Sequence, residues 1–158
     1  MKFGTRESSR YERQVRELRQ HAPHIAVLSC HDESLLSSAV VGIDGAILGF
    51  ASFVPELIAP MLEAVARDDW PTARKLNDQL YYLKLATYGG EEPALYNHAT
   101  LKQAMAMTGR LKHPRVRPPV PQISAEEKER MRVLLERGGL LPVTSAEPRA
   151  REARLRSA

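Results

Sequence analysis

Two short, unbroken apolar runs constrain this chain more than any other feature: Ile25-Ala26-Val27-Leu28-Ser29 and Gly45-Ala46-Ile47-Leu48-Gly49-Phe50. A helical pattern follows each of them. A strand buried on one face alternates apolar and polar residues, whereas a parallel strand covered on both faces reads as a continuous apolar stretch. The chain is therefore read as α/β, built from consecutive βα units. Two such strands cannot close a sheet, and their bare edges invite pairing with other strands. The expectation is part of a larger fold, opening close to Lys2.

Helices are expected between and after the runs. Ser9-Arg10-Tyr11-Glu12 has the spacing of a capping box, in which a hydroxyl and a carboxylate satisfy the first free amides of a helix. Tyr11, Val15, Leu18 and Ala22 then recur on one face until Pro23. Asp32 is the expected N-cap of a second helix carrying Leu35, Leu36, Ala39 and Val40, with Gly42 in its C-terminal turn. Pro55 suits the first turn of a third, inside which Pro60 should kink the helix or delay its start. From Asp69-Trp70-Pro71 onward the strand signals stop. Ala73, Leu76, Leu80 and Leu83 form a stripe for helix packing, broken at Gly89-Gly90. Two more helices are expected, one from about Asn97 to Thr108 with Gly109 as its stop. The other runs from a second capping box, Ser124-Ala125-Glu126-Glu127, to Gly138-Gly139. Between them, Lys112 to Pro121 is proline-rich and extended.

Composition acts as a filter on function. With 43% hydrophobic and 27% charged residues, the 158-residue chain reads as a soluble globular domain with an appendage. Net charge is +4, and in the last eighteen residues Arg149, Arg151, Arg154 and Arg156 outnumber Glu147 and Glu152. Four cations less two anions account for half of the excess, so the folded part is nearly balanced. The terminal segment from 141 to 158 has too little apolar material for a core and reads as a disordered basic tail. Its arginines lack interleaved aromatics, so a solvated tail is preferred to a nucleic-acid contact. Cys30 is the one cysteine, which excludes an intrachain disulfide and suits a reducing compartment. The uncharged stretch from Gly45 to Pro55 falls well short of the ~20 residues that cross a bilayer, and the N-terminus has no signal-peptide core. A cytoplasmic protein with no membrane and no nucleic-acid partner is expected.

Several segments, in order, resemble the C-terminal half of the dihydrodipicolinate synthase and N-acetylneuraminate lyase family. They are Ala26-Val27-Leu28-Ser29 running to Asp32, Gly42-Ile43-Asp44-Gly45-Ala46-Ile47 leading to Pro55, and Trp70 to Leu80. Leu101-Lys102-Gln103-Ala104 closing at Gly109, and Val116-Arg117-Pro118-Pro119 followed by Ile123-Ser124, complete the series. The resemblance spans roughly residues 2 to 140. It implies the C-terminal part of a (β/α)8 TIM barrel: the end of strand 6, then strands 7 and 8 with their helices, plus a three-helix C-terminal extension. The implied division is a partial barrel over 1–68, the extension over 69–140 and the tail beyond. The implied chemistry is carbon–carbon bond formation or cleavage through a Schiff base between a lysine at the end of strand 6 and pyruvate or a related 2-oxo acid. No metal or organic cofactor is implied, and a homo-oligomer or a complementing barrel half is the implied partner. A truncated, inactive chain that serves only for association is the rival expectation.

Two registers compete for that lysine. Counting back without a gap from Arg10 and Tyr11 puts it on Lys2, the favoured register. Matching Arg6-Glu7-Ser8-Ser9 to the family's Lys-Glu-Ser-Ser run puts Arg6 there instead and removes four residues before the helix. A guanidinium stays protonated and is no amine nucleophile. Ser29 and Ile47 are the candidate pocket-lining residues on the following strands. The chain departs from the family at Cys30-His31-Asp32-Glu33, where a glycine and an acidic pair are usual, and near Ser52, where an asparagine is. The family's threonine pair and catalytic tyrosine belong to strands three to five, which the resemblance does not cover. Read for themselves, Cys30-His31-Asp32 are adjacent in an extended segment and so diverge, and no zinc-like spacing accompanies them. A strand-end loop with an N-cap is the preferred reading.

Overall fold

The computed structural model describes residues 1–89 and 97–142; Gly90 and all but the first two residues of the expected tail lie outside them. Three two-residue strands, β1 (Lys2–Phe3), β2 (Leu28–Ser29) and β3 (Gly45–Ala46), form a parallel sheet in that order. Lys2 pairs with Leu28, and Phe3 with Ser29, which in turn pairs with Ala46. Both apolar runs thus hold strands, but only two residues of each enter the ladder. The Ile47 amide donates to the Ser29 carbonyl at 2.8 Å and extends the β2–β3 pairing by one bond. The chain then turns into a 3₁₀ segment at Phe50–Ser52.

Helix α1 (Ser8–His21) links β1 to β2, and α2 (Leu35–Val41) links β2 to β3. The capping box expected at Ser9 is not formed. The N-cap position falls on Glu7 rather than Ser9, and Ser9 donates its hydroxyl to the Glu7 carboxylate. Glu12 is drawn away by Arg16, four residues on, at 2.6 Å. Gly42 ends α2 as expected, with φ of 100° in the left-handed region that costs glycine little.

Then come α3 (Pro55–Ala66), α4 (Trp70–Tyr88), α5 (Asn97–Met107) and α6 (Ala125–Arg137). Pro55 occupies the first turn of α3, and Pro60 lies inside the helix without delaying its start. Asp69 caps α4 by accepting from the Thr72 amide at 3.2 Å, and Ser124 caps α6 by accepting from the Glu127 amide at 3.1 Å. The last carbonyls of a helix have no partner within it. In α4 they are supplied from outside: Arg130 donates to Leu85 and Ala86, and the Thr100 hydroxyl to Thr87.

The apolar residues divide into two clusters. A small one under the sheet joins Tyr11 and Val15 of α1 to Val27, with Phe3 against it. The main core runs through α2 to α6, with Leu35, Phe50, Phe53, Met61, Leu80, Leu83, Met131 and Leu135 among its buried residues. The stripe on α4 is part of this core. No helix among the described residues is long and apolar enough to cross a membrane.

Candidate functional site

The parallel register brings three strand ends to one mouth. Phe3, Ser29 and Ala46 lie side by side, so the residues after them emerge in matched layers. In the first layer Gly4 adjoins Cys30, whose sulfur would lie 3.0 Å from a Cβ at Gly4 and donates to the Phe3 carbonyl at 3.1 Å. Further out, the Arg6 guanidinium pairs with Glu33 at 3.5 Å. Beside that pair, Asp32 reaches across to the loop after β3.

Asp32 organises the mouth. Its buried carboxylate accepts from the amides of Gly49 at 3.1 Å and Phe50 at 2.9 Å, and from the Tyr88 hydroxyl at 2.8 Å. The expected N-cap role is thereby overturned: the cap position of α2 falls on Ser34, and no side chain caps it. Three donors converging on one buried carboxylate outweigh the single bond that a seven-residue helix offers. Gly49 permits the approach, because a Cβ there would lie 2.9 Å from Asp32 Oδ2. Tyr88 stacks on Phe50 with ring centroids 5.3 Å apart. Burial, with the Asp32 charge beside it, drives the Tyr88 phenol far above its ordinary range, so it is a fixed donor to Asp32. Also on α4, Lys84 donates to Asn77 Oδ1 at 3.0 Å; burial lowers its pKa, and the charge of Glu33 opposes that shift.

The three adjacent side chains at 30 to 32 diverge to separate partners. Cys30 turns to β1 and Asp32 to the β3 loop. His31 is buried, with Nδ1 3.1 Å from the Ser38 hydroxyl and its ring edge-on to Tyr11 at 4.7 Å. Among the described residues no three His, Cys, Asp or Glu side chains are placed to hold a metal ion.

The sequence candidates occupy different places. Lys2 opens β1 rather than closing it and is exposed. Phe3 packs on the α1 side, so alternation turns Lys2 to the sheet's other face. Arg6 lies four residues further along, at most about 14 Å by chain reach. Ser29 is fully buried, its hydroxyl accepting from the His31 amide at 3.2 Å, and is withdrawn from the mouth. Ile47 is 53% exposed, beside the mouth. Sequence reasoning did not single out Gly49 or Tyr88, and it met Glu33 only within the departure from the family at residues 30–33. The signal for Tyr88 was a polar-tipped aromatic in the last turn of an amphipathic helix, where a half-buried hydroxyl needs a partner.

Residues 1–137 match the profile of the Dihydrodipicolinate synthetase family. The chain belongs to that family. It is 35% identical over 121 residues to the probable 2-dehydro-3-deoxy-D-pentonate aldolase of Escherichia coli (strain K12), an alignment covering 77% of this chain and 39% of the relative. Among solved structures it superposes on dihydrodipicolinate synthase from Thermotoga maritima with a TM-score of 0.76 and 21% identity, over 89% of this chain and 45% of the other. It also superposes on YagE, a family protein from E. coli K12 solved in complex with pyruvate, with a TM-score of 0.75, 21% identity and coverage of 87% and 45%. These neighbours are TIM-barrel proteins, and the chain spans less than half of their length.

Proposed function

We propose that this chain is a partial member of the family's pyruvate-dependent carbon–carbon lyases and aldolases, holding the last βα units and the helical extension. The reading assigns residues 1–68 to the barrel and 69–140 to the extension. Its mouth, framed by Arg6, Glu33, Ile47 and Asp32–Tyr88, is the proposed receptor for a small 2-oxo acid such as pyruvate. Active sites of such barrels lie at the C-terminal ends of the strands. The observation that carries the reading is the convergence of three strand ends and α4 on that mouth, in a chain whose family match runs over residues 1–137. Saturation-transfer NMR of the full chain with pyruvate tests it. Saturable binding that propionate, which lacks the ketone, competes for poorly is expected. No saturable signal overturns the reading.

A second reading has its own observation. β1 and β3 each have one neighbour within the described sheet, and Met1, Val40, Ile47 and Tyr81 are more than half exposed. Bare parallel edges suit pairing with a complementing barrel half or a second copy of the chain. Under this reading the chain is an association module without catalysis. Light scattering during size-exclusion chromatography separates the cases: a monomer at every concentration counts against association.

A further inference from the structure

We infer that Tyr11 and His31 enclose an internal site for a single water molecule, which joins the first turn of α1 to the loop after β2, behind the mouth. The site is independent of the 2-oxo-acid reading above.

Two buried atoms carry the inference. The Tyr11 hydroxyl and His31 Nε2 have no hydrogen-bond partner among the described residues, and the two residues are only 3% and 6% exposed. Their rings lie 4.7 Å apart at 62°, so both orphaned atoms belong to one place in the fold. A buried polar atom without a partner forfeits its hydration, and native structures pair such atoms with protein groups or with ordered water. The rest of His31 is already held. Its amide donates to the Ser29 hydroxyl at 3.2 Å, and Nδ1 lies 3.1 Å from the Ser38 hydroxyl. Turning the ring toward Tyr11 would break the Ser38 contact, so Nε2 is satisfied only by a group that comes to it.

The surroundings select the ligand. Val15 and Val27 pack with Tyr11, and Phe3 lies edge-on to it at 6.4 Å. Neither polar atom meets a charged side chain, and a buried ion without a compensating charge is costly. A larger neutral molecule would need an opening that residues so deeply buried do not offer. Water suits the site, because a buried water takes about two to four polar partners and bridges groups too far apart to bond directly. It also serves either tautomer of His31. If Nδ1 donates to Ser38, Nε2 accepts and the water donates to it; if Ser38 donates to Nδ1, Nε2 donates and the water accepts. The Tyr11 hydroxyl both donates and accepts, so it completes the bridge in each case. The bridge fastens α1 to the residue next to Asp32, whose carboxylate organises the mouth.

Two measurements on the full chain test the site. In a crystal structure, a water is expected within about 2.7–3.2 Å of both Tyr11 Oη and His31 Nε2. In solution, relaxation dispersion of the solvent oxygen resonance counts long-lived internal waters. Tyr11→Phe keeps the ring but removes one anchor, so it should lose a single water from that count and melt about 2–4 °C below wild type. A direct Tyr11–His31 bond, or a dry contact between the two atoms in the crystal structure, overturns the inference. So does a Tyr11→Phe protein, folded by circular dichroism, that keeps the wild-type count of internal waters. A variant that melts at or above the wild-type temperature overturns it too, since that is the effect of deleting a hydroxyl that bridges nothing.

Discussion

The Asp32 clamp makes the sharpest prediction. Replacing Asp32 by alanine removes the acceptor for the amides of Gly49 and Phe50 and for the Tyr88 hydroxyl. A buried donor left unpaired costs about 1–3 kcal/mol. The Phe50 amide is buried and should bear about 2 kcal/mol, whereas the other two donors are partly buried and rehydrate, at about 1 kcal/mol each. Removing a buried charge returns part of its desolvation, so Asp32→Ala should destabilise by about 3–4 kcal/mol. For a chain of this size that corresponds to a melting point lower by about 10 °C.

Urea and thermal denaturation followed by circular dichroism give the number, and two further variants give its cause. Asp32→Asn keeps one oxygen but presents an amide to a donor, and should fall between wild type and Asp32→Ala. Asp32→Ser is the decisive control, because serine is as good an N-cap as aspartate yet too short to span to the β3 loop. A serine variant of near wild-type stability would refute the clamp and restore the N-cap reading. Alkaline titration supplies an independent readout. In the wild type, Tyr88 should resist ionisation to the highest pH at which the fold survives, and Asp32→Asn should let it ionise earlier.

Other expectations follow the same contacts. Gly49→Ala places a Cβ against Oδ2 of the Asp32 carboxylate, a group that three hydrogen bonds hold in place, two of them on Oδ2, and should cost about 1–3 kcal/mol by chemical denaturation. Ser124→Ala should cost about 1 kcal/mol as a lost N-cap, whereas Ser9→Ala, whose hydroxyl caps no helix amide, should change stability by less than about half that. Asp44 accepts from the Val27 amide at 2.6 Å and from Arg19 at 2.7 Å, which hold its carboxyl below the ordinary 3.8. A lowered folded-state pKa means stability present above the unfolded value and lost as pH falls through the folded one. The gap in stability between wild type and Asp44→Asn should therefore narrow as pH is lowered below about 5, and a constant gap would count against the bond.

Most of the helical framework was legible because it depends on local chemistry. Asp69, Ser124, Pro55 and Gly42 act within a few residues of their helix ends, and the sequence displays those distances directly. Ser9 shows where such reading fails: its neighbour Glu7 and the competing Arg16–Glu12 pair both defeat the box, and spacing cannot rank rival partners. β1 has no pattern of its own, because two residues make none; only the resemblance put a strand end at Lys2, and the strand exists through pairing with Leu28 and Ser29. The site was less visible still. Asp32 is separated from Gly49 by 17 residues and from Tyr88 by 56, so nothing local marks their meeting. Ser29 followed the strand but not the mouth, since alternation sends its hydroxyl inward beside Val27.

These long-range bonds bear on what the C-terminal helices do for the sheet. Strands of two residues supply few ladder bonds, and a sheet so short has little capacity to fix the loops that leave it. That task passes to two carboxylates, the exposed Asp44 and the buried Asp32: Asp44 ties β3's approach to α1 and the amide before β2, and Asp32 ties the loop after β2 to the loop after β3 and to the end of α4. The end of α4 is itself held by Arg130 and Thr100, from α6 and α5. A chain of contacts therefore runs from the last helix to the mouth, across the boundary expected near residue 68. Shifting α6 would move Arg130 off the Leu85 and Ala86 carbonyls, loosen the turn that carries Tyr88, and leave Asp32 one donor short. The C-terminal helices thus contribute to the mouth's geometry, since the Tyr88 hydroxyl that Asp32 accepts from sits on a helix end held by α5 and α6.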